Sequence, residues 1–444
     1  MSASDNVTIG TRAGRGLYNS CYNVILGRCA ANGCNDGNFN GYDCNVVIGH
    51  AAAACACCGK TNVMIGHYTG FCHRQGHGNV QIGCAAGKCN ICGCYNTYLG
   101  AATGCQNNNG NYNVAIGFES LKSITTGTQL TAIGRHSLTL NTTGTQNTAL
   151  GYSCLYANIN GSSNTGGGYA CLTSNTTGDN NTAFGRDALY NATTAHNNTA
   201  VGHFAMRAAT TGGSNTAVGV QALTALTTAG SNTAIGRRAA AGVTTGENNI
   251  MIGMDAGYYT TITTDGTRNV LIGNYTMTSS AGGYDQEVLG YNVTGSAHNT
   301  FTFGSGGADT TCTNGSTSFS APSDERMKEE IVTSTAGLSF LNDLRPVTFK
   351  WKKEKDIPTE LNTHVEGSEK RYKTDATQHG FIAQEVKSVI DAHSEIKDGF
   401  EMWREDESDG RQRISESALV PVLVKAIQEL SAKNEALEAR IKTL

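Results

Sequence analysis

The chain has 444 residues, among them 55 glycines, 16 cysteines and only 4 prolines, with a formal net charge of −4. That length allows two or three domains, and the slightly acidic balance excludes a nucleic-acid partner held through basic patches. No apolar run approaches the roughly 18–20 residues of a membrane span. The opening MSASDNVTIG lacks the basic and apolar regions of a secretory signal, so synthesis and folding in a cytosol are expected.

A five-residue phrase, Asn-(Val/Thr)-x-(Ile/Val/Leu)-Gly, organises the first part of the chain. It begins at Asn6 and Asn23, resumes after a short insertion at Asn45, and then returns every 17 residues as far as Asn249, with Leu130 in place of one asparagine. Three extra residues precede Asn269, and a degenerate copy opens at Gln286. A fixed period of this kind is the signature of stacked coils. In the copy starting at Asn181 (NTAFGRDALYNATTAHN), Thr182, Ala183 and Phe184 alternate as in a short strand. Gly185 permits a bend, Ala188-Leu189 offers a second apolar patch, and Thr193-Thr194-Ala195 closes the coil as a turn.

The predicted unit is therefore two short strands and two turns, a parallel β-roll or β-helix solenoid over residues 1–290. Counting from the repeat asparagine, positions +1 and +3 are expected inside the coil. Position +2, often apolar (Val47, Met64, Ala115, Ala200, Ala217, Met251), is expected outside, as a stripe suited to lateral association. The asparagines should stack their amides in a ladder. The lack of proline before residue 322 fits strands that each need their N–H. At the inter-strand spacing the stack would be on the order of 80 Å long.

Phrases such as NTAVG and NVAIG followed by Ala-Leu resemble the head repeats of trimeric autotransporter adhesins, which are left-handed parallel β-rolls packed as trimers. The resemblance covers about residues 6–290. The longer period here, with neither signal peptide nor C-terminal membrane barrel, makes the implied object another kind of trimeric β-rod.

Within the rod, the cysteines cluster from Cys21 to Cys105, with Cys154, Cys171 and Cys312 beyond. They read as small buried thiols of a reducing compartment. Cys55, Cys72 and Cys89 share the tenth position after their asparagines and should stack. Cys89-x-x-Cys92 with His73 and His77 nearby lacks the second pair of a zinc site, so no metal or cofactor is expected. The sequons at Asn141, Asn175 and Asn191 read as accidents of a Thr/Asn-rich turn. No carboxylate pair recurs at a fixed phase, which excludes a glycosidase site of the usual kind. Residues 28–44 and 254–268, with Tyr258-Tyr259, are candidate receptor-binding loops. Residues 291–322 lose the period and read as an irregular capping segment and linker.

At Ser323 the composition changes. Both tryptophans and every proline lie at or beyond residue 322, and only Gly337, Gly367, Gly380, Gly399 and Gly410 follow. Such a break marks a domain boundary. The sequence predicts a helix over 331–344, a strand over 347–351, a loop-like stretch over 352–375, a segment at 380–386 leading into an amphipathic run, and a short strand at 399–403. Val420, Leu423, Ile427, Leu430, Asn434, Leu437, Ile441 and Leu444 follow an a/d heptad, predicting a coiled coil over about 414–444 with Asn434 as a register-setting polar residue. The alternative is a helix packed only on its own domain, its run shortened by Pro421. The whole reads as mainly β, a solenoid followed by a smaller α+β domain.

The phrases SDERMK at 323–328 and HGFIAQEV at 379–386 resemble the intramolecular chaperone domain of endosialidases and related phage tail spikes and fibres. The resemblance covers roughly 323–444. It implies a domain that assists trimerisation and releases itself, with Ser323 as nucleophile, Lys328 as its partner, cleavage between Pro322 and Ser323, and His379 and Gln384 in support. The chemistry is coherent on general grounds. A serine hydroxyl needs a base to take its proton, a lysine ammonium with a pKa of about 10.4 cannot serve, and burial lowers that pKa. The bland alternative makes Ser323 the N-cap of a helix.

The expected protein is thus a homotrimeric viral fibre or spike of a phage tail, assembled in host cytoplasm and carried on the virion. Its single-turnover serine autoprotease would release the C-terminal domain. Its partners would be its own copies, a glycan or protein receptor on the host surface, and an anchoring protein at the N-terminus. The alternative is a cell-surface adhesin or structural spike that keeps the C-terminal domain as a trimer clamp.

Overall fold

The computed structural model describes all residues except 1–4, 18, 34–40, 259–261, 307, 317–318, 321–322, 362, 398–399, 407–409 and 444. The chain divides into two compact units, Met1–Pro322 and Ser323–Leu444.

The first unit is a parallel solenoid. Each coil contributes one three-residue strand, from Val7–Ile9 through Thr182–Phe184 to Val270–Ile272, and each strand pairs in register with its counterpart in the next coil. The repeat asparagine locks the register. Asn198 shows the pattern: its backbone N–H and its Nδ2 both donate to Oδ1 of Asn181, at 3.1 and 3.2 Å, and Nδ2 also donates to the Gly212 carbonyl at 2.9 Å. Fully buried amides are thereby satisfied along the stack.

Two expectations about the coil are corrected. Position +2 faces inward: Val47, Met64, Ala115, Ala183, Ala200 and Ala217 are all fully buried. The +3 residues Ile133, Leu150, Phe184, Val201, Val218 and Ile235 are 36–42% exposed. The interior of so short a coil is narrow, and the leucine or methionine at position +8 (Leu189, Met206, Leu223) already fills much of it. Only a small residue fits opposite, which is why alanine dominates +2 and the larger branched side chains point out. The outward apolar stripe therefore exists, but on the other face of the strand.

The second correction concerns the second strand, which is not formed among the described residues. Ala188 and Leu189 are buried, but Asp187 and Leu189 take left-handed backbone angles (φ 54° and 51°) incompatible with an extended run. After this turn, burial recurs every third residue, as at Asn141, Gly144 and Asn147, rather than every second. Asparagines at the first of these positions form another interior ladder, with Asn158 Nδ2 donating to Asn141 Oδ1 and Asn175 Nδ2 to Asn158 Oδ1, both at 2.7 Å. The glycine that ends each strand is a backbone requirement. Gly185 has φ +130°, and a Cβ on it would lie 2.6 Å from the Gly202 carbonyl oxygen.

The segment after residue 290 is more regular than expected. Gln286–Tyr291 pairs in parallel with Thr300–Ser305, which pairs antiparallel with Ala308–Thr313. Thr300-Phe-Thr-Phe-Gly304 is thus one more degenerate copy of the repeat, followed by a hairpin that ends the parallel stacking.

In the second unit, helices α1 (Leu338–Asp343), α2 (Ala383–Ala392) and α3 (Val420–Lys442) and two short hairpins surround a core that includes Phe340, Val386, Ile390, Met402, Leu419 and Val422. The hairpins pair Val347–Phe349 with Gln378–Gly380 and Trp403–Glu405 with Gln412–Ile414. Helix α1 is shorter than predicted. Residues 331–336 are not helical, and the helix starts after Gly337, where Glu429 of α3 accepts a 3.0 Å bond from the Leu338 N–H. The strand expected at 399–403 is found at Trp403–Glu405, and residue 399 lies outside the described residues. Pro421 does not shorten α3, because it sits in the first turn, where its missing N–H costs nothing. Val422 and Ala426 of this helix are buried, whereas Leu423, Ile427, Leu430, Leu437 and Ile441 of the heptad stripe are exposed among the described residues. Leu444 lies outside the described residues.

Candidate autoproteolytic site

The second unit opens with one tight turn. Asp324, extended at φ −71° and ψ 133°, caps the 3-10 helix Glu325–Met327 by accepting the Arg326 N–H at 2.9 Å. The Arg326 guanidinium returns to the same carboxylate, with Nε 3.0 Å from Oδ1, and this bond holds the Asp324 pKa below the usual carboxylate range. The N–H of Lys328 closes the turn on the Glu325 carbonyl at 3.0 Å. The cap is thus Asp324, leaving the Ser323 hydroxyl free of that duty. Folding back by one turn, Lys328 Nζ donates to Ser323 Oγ at 2.7 Å.

The pair expected from sequence is therefore in hydrogen-bond contact, the reach a nucleophile and its base require. Both residues are exposed, and nothing among the described residues excludes water from them. Pro322, the other side of the expected scissile bond, lies outside the described residues. The Asp324–Arg326 clamp was not anticipated. Its signal was the capping residue two positions before an arginine, which reads on sequence as surface charge alone.

His379 and Gln384 do not join the pair. His379 is an exposed residue of strand Gln378–Gly380, opposite Thr348, and Gln384 lies in the first turn of α2. Among the described residues no hydrogen bond or ion pair links either to Ser323 or Lys328. Gln384 instead borders an open cleft of about 1340 Å³, lined by Phe349, Trp351, Tyr372, Phe381 and Trp403.

In the rod, Cys72 is coupled to Cys89 and Cys55 as the shared position predicts. Burial first, then the neighbouring thiols, raise its pKa. Among the described residues no three His, Cys, Asp or Glu side chains are grouped to hold a metal ion. Asn141 and Asn175 are buried in the second amide ladder, which removes them as glycan acceptors, while Asn191 is exposed. Of the candidate loops, residues 34–40 and Tyr259 lie outside the described residues, and Tyr258 stacks beneath the Arg238 guanidinium at 5.3 Å. No helix among the described residues is long and apolar enough to cross a membrane.

Residues 323–395 match the family described as chaperone of endosialidase. The match begins on Ser323 and contains Lys328, His379 and Gln384, but not α3. No curated protein and no solved structure matches the chain.

Proposed function

We propose that the chain is a subunit of a homotrimeric viral fibre or spike of a phage tail. Residues 1–322 would form the rod that meets a receptor on the host surface. Residues 323–444 would assist assembly and then leave by cleavage of the Pro322–Ser323 bond. The observation that carries this reading is the 2.7 Å contact between Lys328 Nζ and Ser323 Oγ, placed at the first residue both of the second compact unit and of the chaperone-family match.

Two apolar seams support the trimer. One is the +3 column of the solenoid, the other the a/d column of α3, and both are exposed among the described residues. Contiguous exposed apolar stripes of this kind mark association surfaces, and heptad stripes mark coiled coils.

Assembly supplies what the single chain lacks. When neighbouring subunits close over Lys328, loss of water favours its neutral form, which can take the proton from Ser323 Oγ. Attack of Oγ on the carbonyl carbon of Pro322 exchanges the peptide bond for an ester. Water then opens the ester, leaving a carboxylate on 1–322 and a free amine on Ser323. Self-release thus follows correct assembly, and the rod left behind is held kinetically, since its assembly template has gone.

Sedimentation of the Ser323→Ala chain tests the premise of assembly. A trimer is expected. A monomer at micromolar concentration would contradict the reading.

A further inference from the structure

The coil interior holds a pair of nucleophilic groups that self-cleavage does not use. Cys154 and Cys171 occupy the same position one coil apart, both fully buried, with their Sγ atoms 3.0 Å apart. Two coils earlier the same column carries Ser120 and Ser137, in hydroxyl contact at 2.9 Å. Equivalent residues of adjacent coils stand ~4.8 Å apart, within the roughly 4.4–6.8 Å Cα separation that a disulfide spans.

A second feature of the sequence is matched to these sulfurs. The interior +2 residue is alanine in the coils on either side (Ala149, Ala183) but glycine at Gly166. A Cβ there would come within 2.4 Å of Cys154 Sγ and 3.2 Å of Cys171 Sγ. The backbone does not ask for this glycine, since Gly166 is not among those with positive φ. The missing methyl is the room into which the two sulfurs project.

We propose that Cys154 and Cys171 form an oxidation site that closes to an inter-coil disulfide on exposure to a peroxide-class oxidant. One thiolate attacks the peroxide O–O bond, giving a sulfenic acid and one water. The second thiol attacks that sulfur, forms the S–S bond and releases a second water. The two thiols lose two electrons and two protons, and the peroxide is reduced to two waters. The hydrogen bond with Cys171, and then burial, raise the Cys154 pKa, so the reaction is slow in the closed coil and proceeds through local opening. Solenoid stability is set by interfaces between neighbouring coils, and this bond staples one such interface. The inference depends neither on self-cleavage nor on the trimer.

The test uses the full chain, treated with dilute hydrogen peroxide, denatured in excess iodoacetamide and digested with trypsin. Peptide 136–186 contains these two cysteines, no other, and no internal Lys or Arg. It is expected to carry no label and to weigh about 2 Da less than the reduced peptide, with dithiothreitol before alkylation restoring two labels. Cys154→Ser, a residue this column already accepts, is expected to leave Cys171 singly labelled. Gly166→Ala, matching the neighbouring coils, is expected to cut disulfide yield at least about tenfold by removing the space for S–S geometry. Two labels on the oxidised wild-type peptide, or added oxygen without loss of two hydrogens, would overturn the proposal. Full yield from Gly166→Ala would overturn the role given to the glycine.

Discussion

Acid should weaken the rod through one residue, His73. It lies eleven positions after Asn62, in the column that other coils fill with Asn90, Asn107, Asn141, Asn158 and Asn175. The ring is fully buried, and its Nε2 lies 2.9 Å from the Gly76 carbonyl. Burial lowers its pKa from 6.5 to about 4, helped by the charge of His77 and opposed by backbone contacts at Gly76 and Asn90. The folded chain therefore refuses a proton that the unfolded chain takes at about pH 6.5. Between those two values the unfolded state binds more protons, so stability falls as pH falls. The loss is absent above about pH 6.5 and complete near pH 4, where it reaches about 3 kcal/mol.

Carboxylates titrate in the same range, so the measurement must be differential. His73→Asn places the residue of the neighbouring ladder in the site, with no group to protonate. Guanidinium unfolding of both proteins, followed by circular dichroism, should show the gap between them widen in favour of the variant by about 2.5 kcal/mol from pH 7.5 to pH 4.5. Parallel pH profiles, within about 0.5 kcal/mol, would refute the assignment of acid sensitivity to this ring.

Three further perturbations address the coil and the seams. Gly202→Ala combines φ +137° with a Cβ 2.3 Å from the Gly219 carbonyl oxygen, and should cost at least about 2 kcal/mol in guanidinium unfolding. Asn198→Ala removes two donors and the acceptor used by both the N–H and the Nδ2 of Asn215. The same assay should show a loss of about 2–3 kcal/mol from the buried groups left unpaired. Ile235→Asp on the solenoid stripe and Ile427→Asp on α3 alter exposed side chains, so circular dichroism should be unchanged while sedimentation shows loss of the proposed trimer. An intact trimer from both variants would remove the seams from the proposed assembly.

The period, the strand at its start and the asparagine ladder were legible because each rests on one residue type returning at one phase. The facing of the strand was not. Thr-Ala-Val alternates equally well in either sense, and what decides it is the narrow interior, visible only as the small size of Ala183 or Ala200. The second ladder was hidden because Asn141, Gly144 and Asn147 follow a three-residue rhythm unlike that of strand or helix. In the second unit, the Ser323–Lys328 pairing was read from the resemblance carried by SDERMK and HGFIAQEV, and local spacing alone would have favoured a simple helix cap. The cap could not, since Ser323 and Asp324 are equally good candidates until backbone angles choose between them. The helix expected from residue 331 begins only at Leu338, where Glu429, 91 residues further along the sequence, accepts the first N–H and sets the start.

The most direct measurement is the intact mass of the purified wild-type chain beside Ser323→Ala. A wild-type product ending at Pro322, absent from the variant, is the result expected of a self-releasing assembly domain. Full-length chain in both would contradict self-cleavage and leave residues 323–444 as a retained trimer clamp.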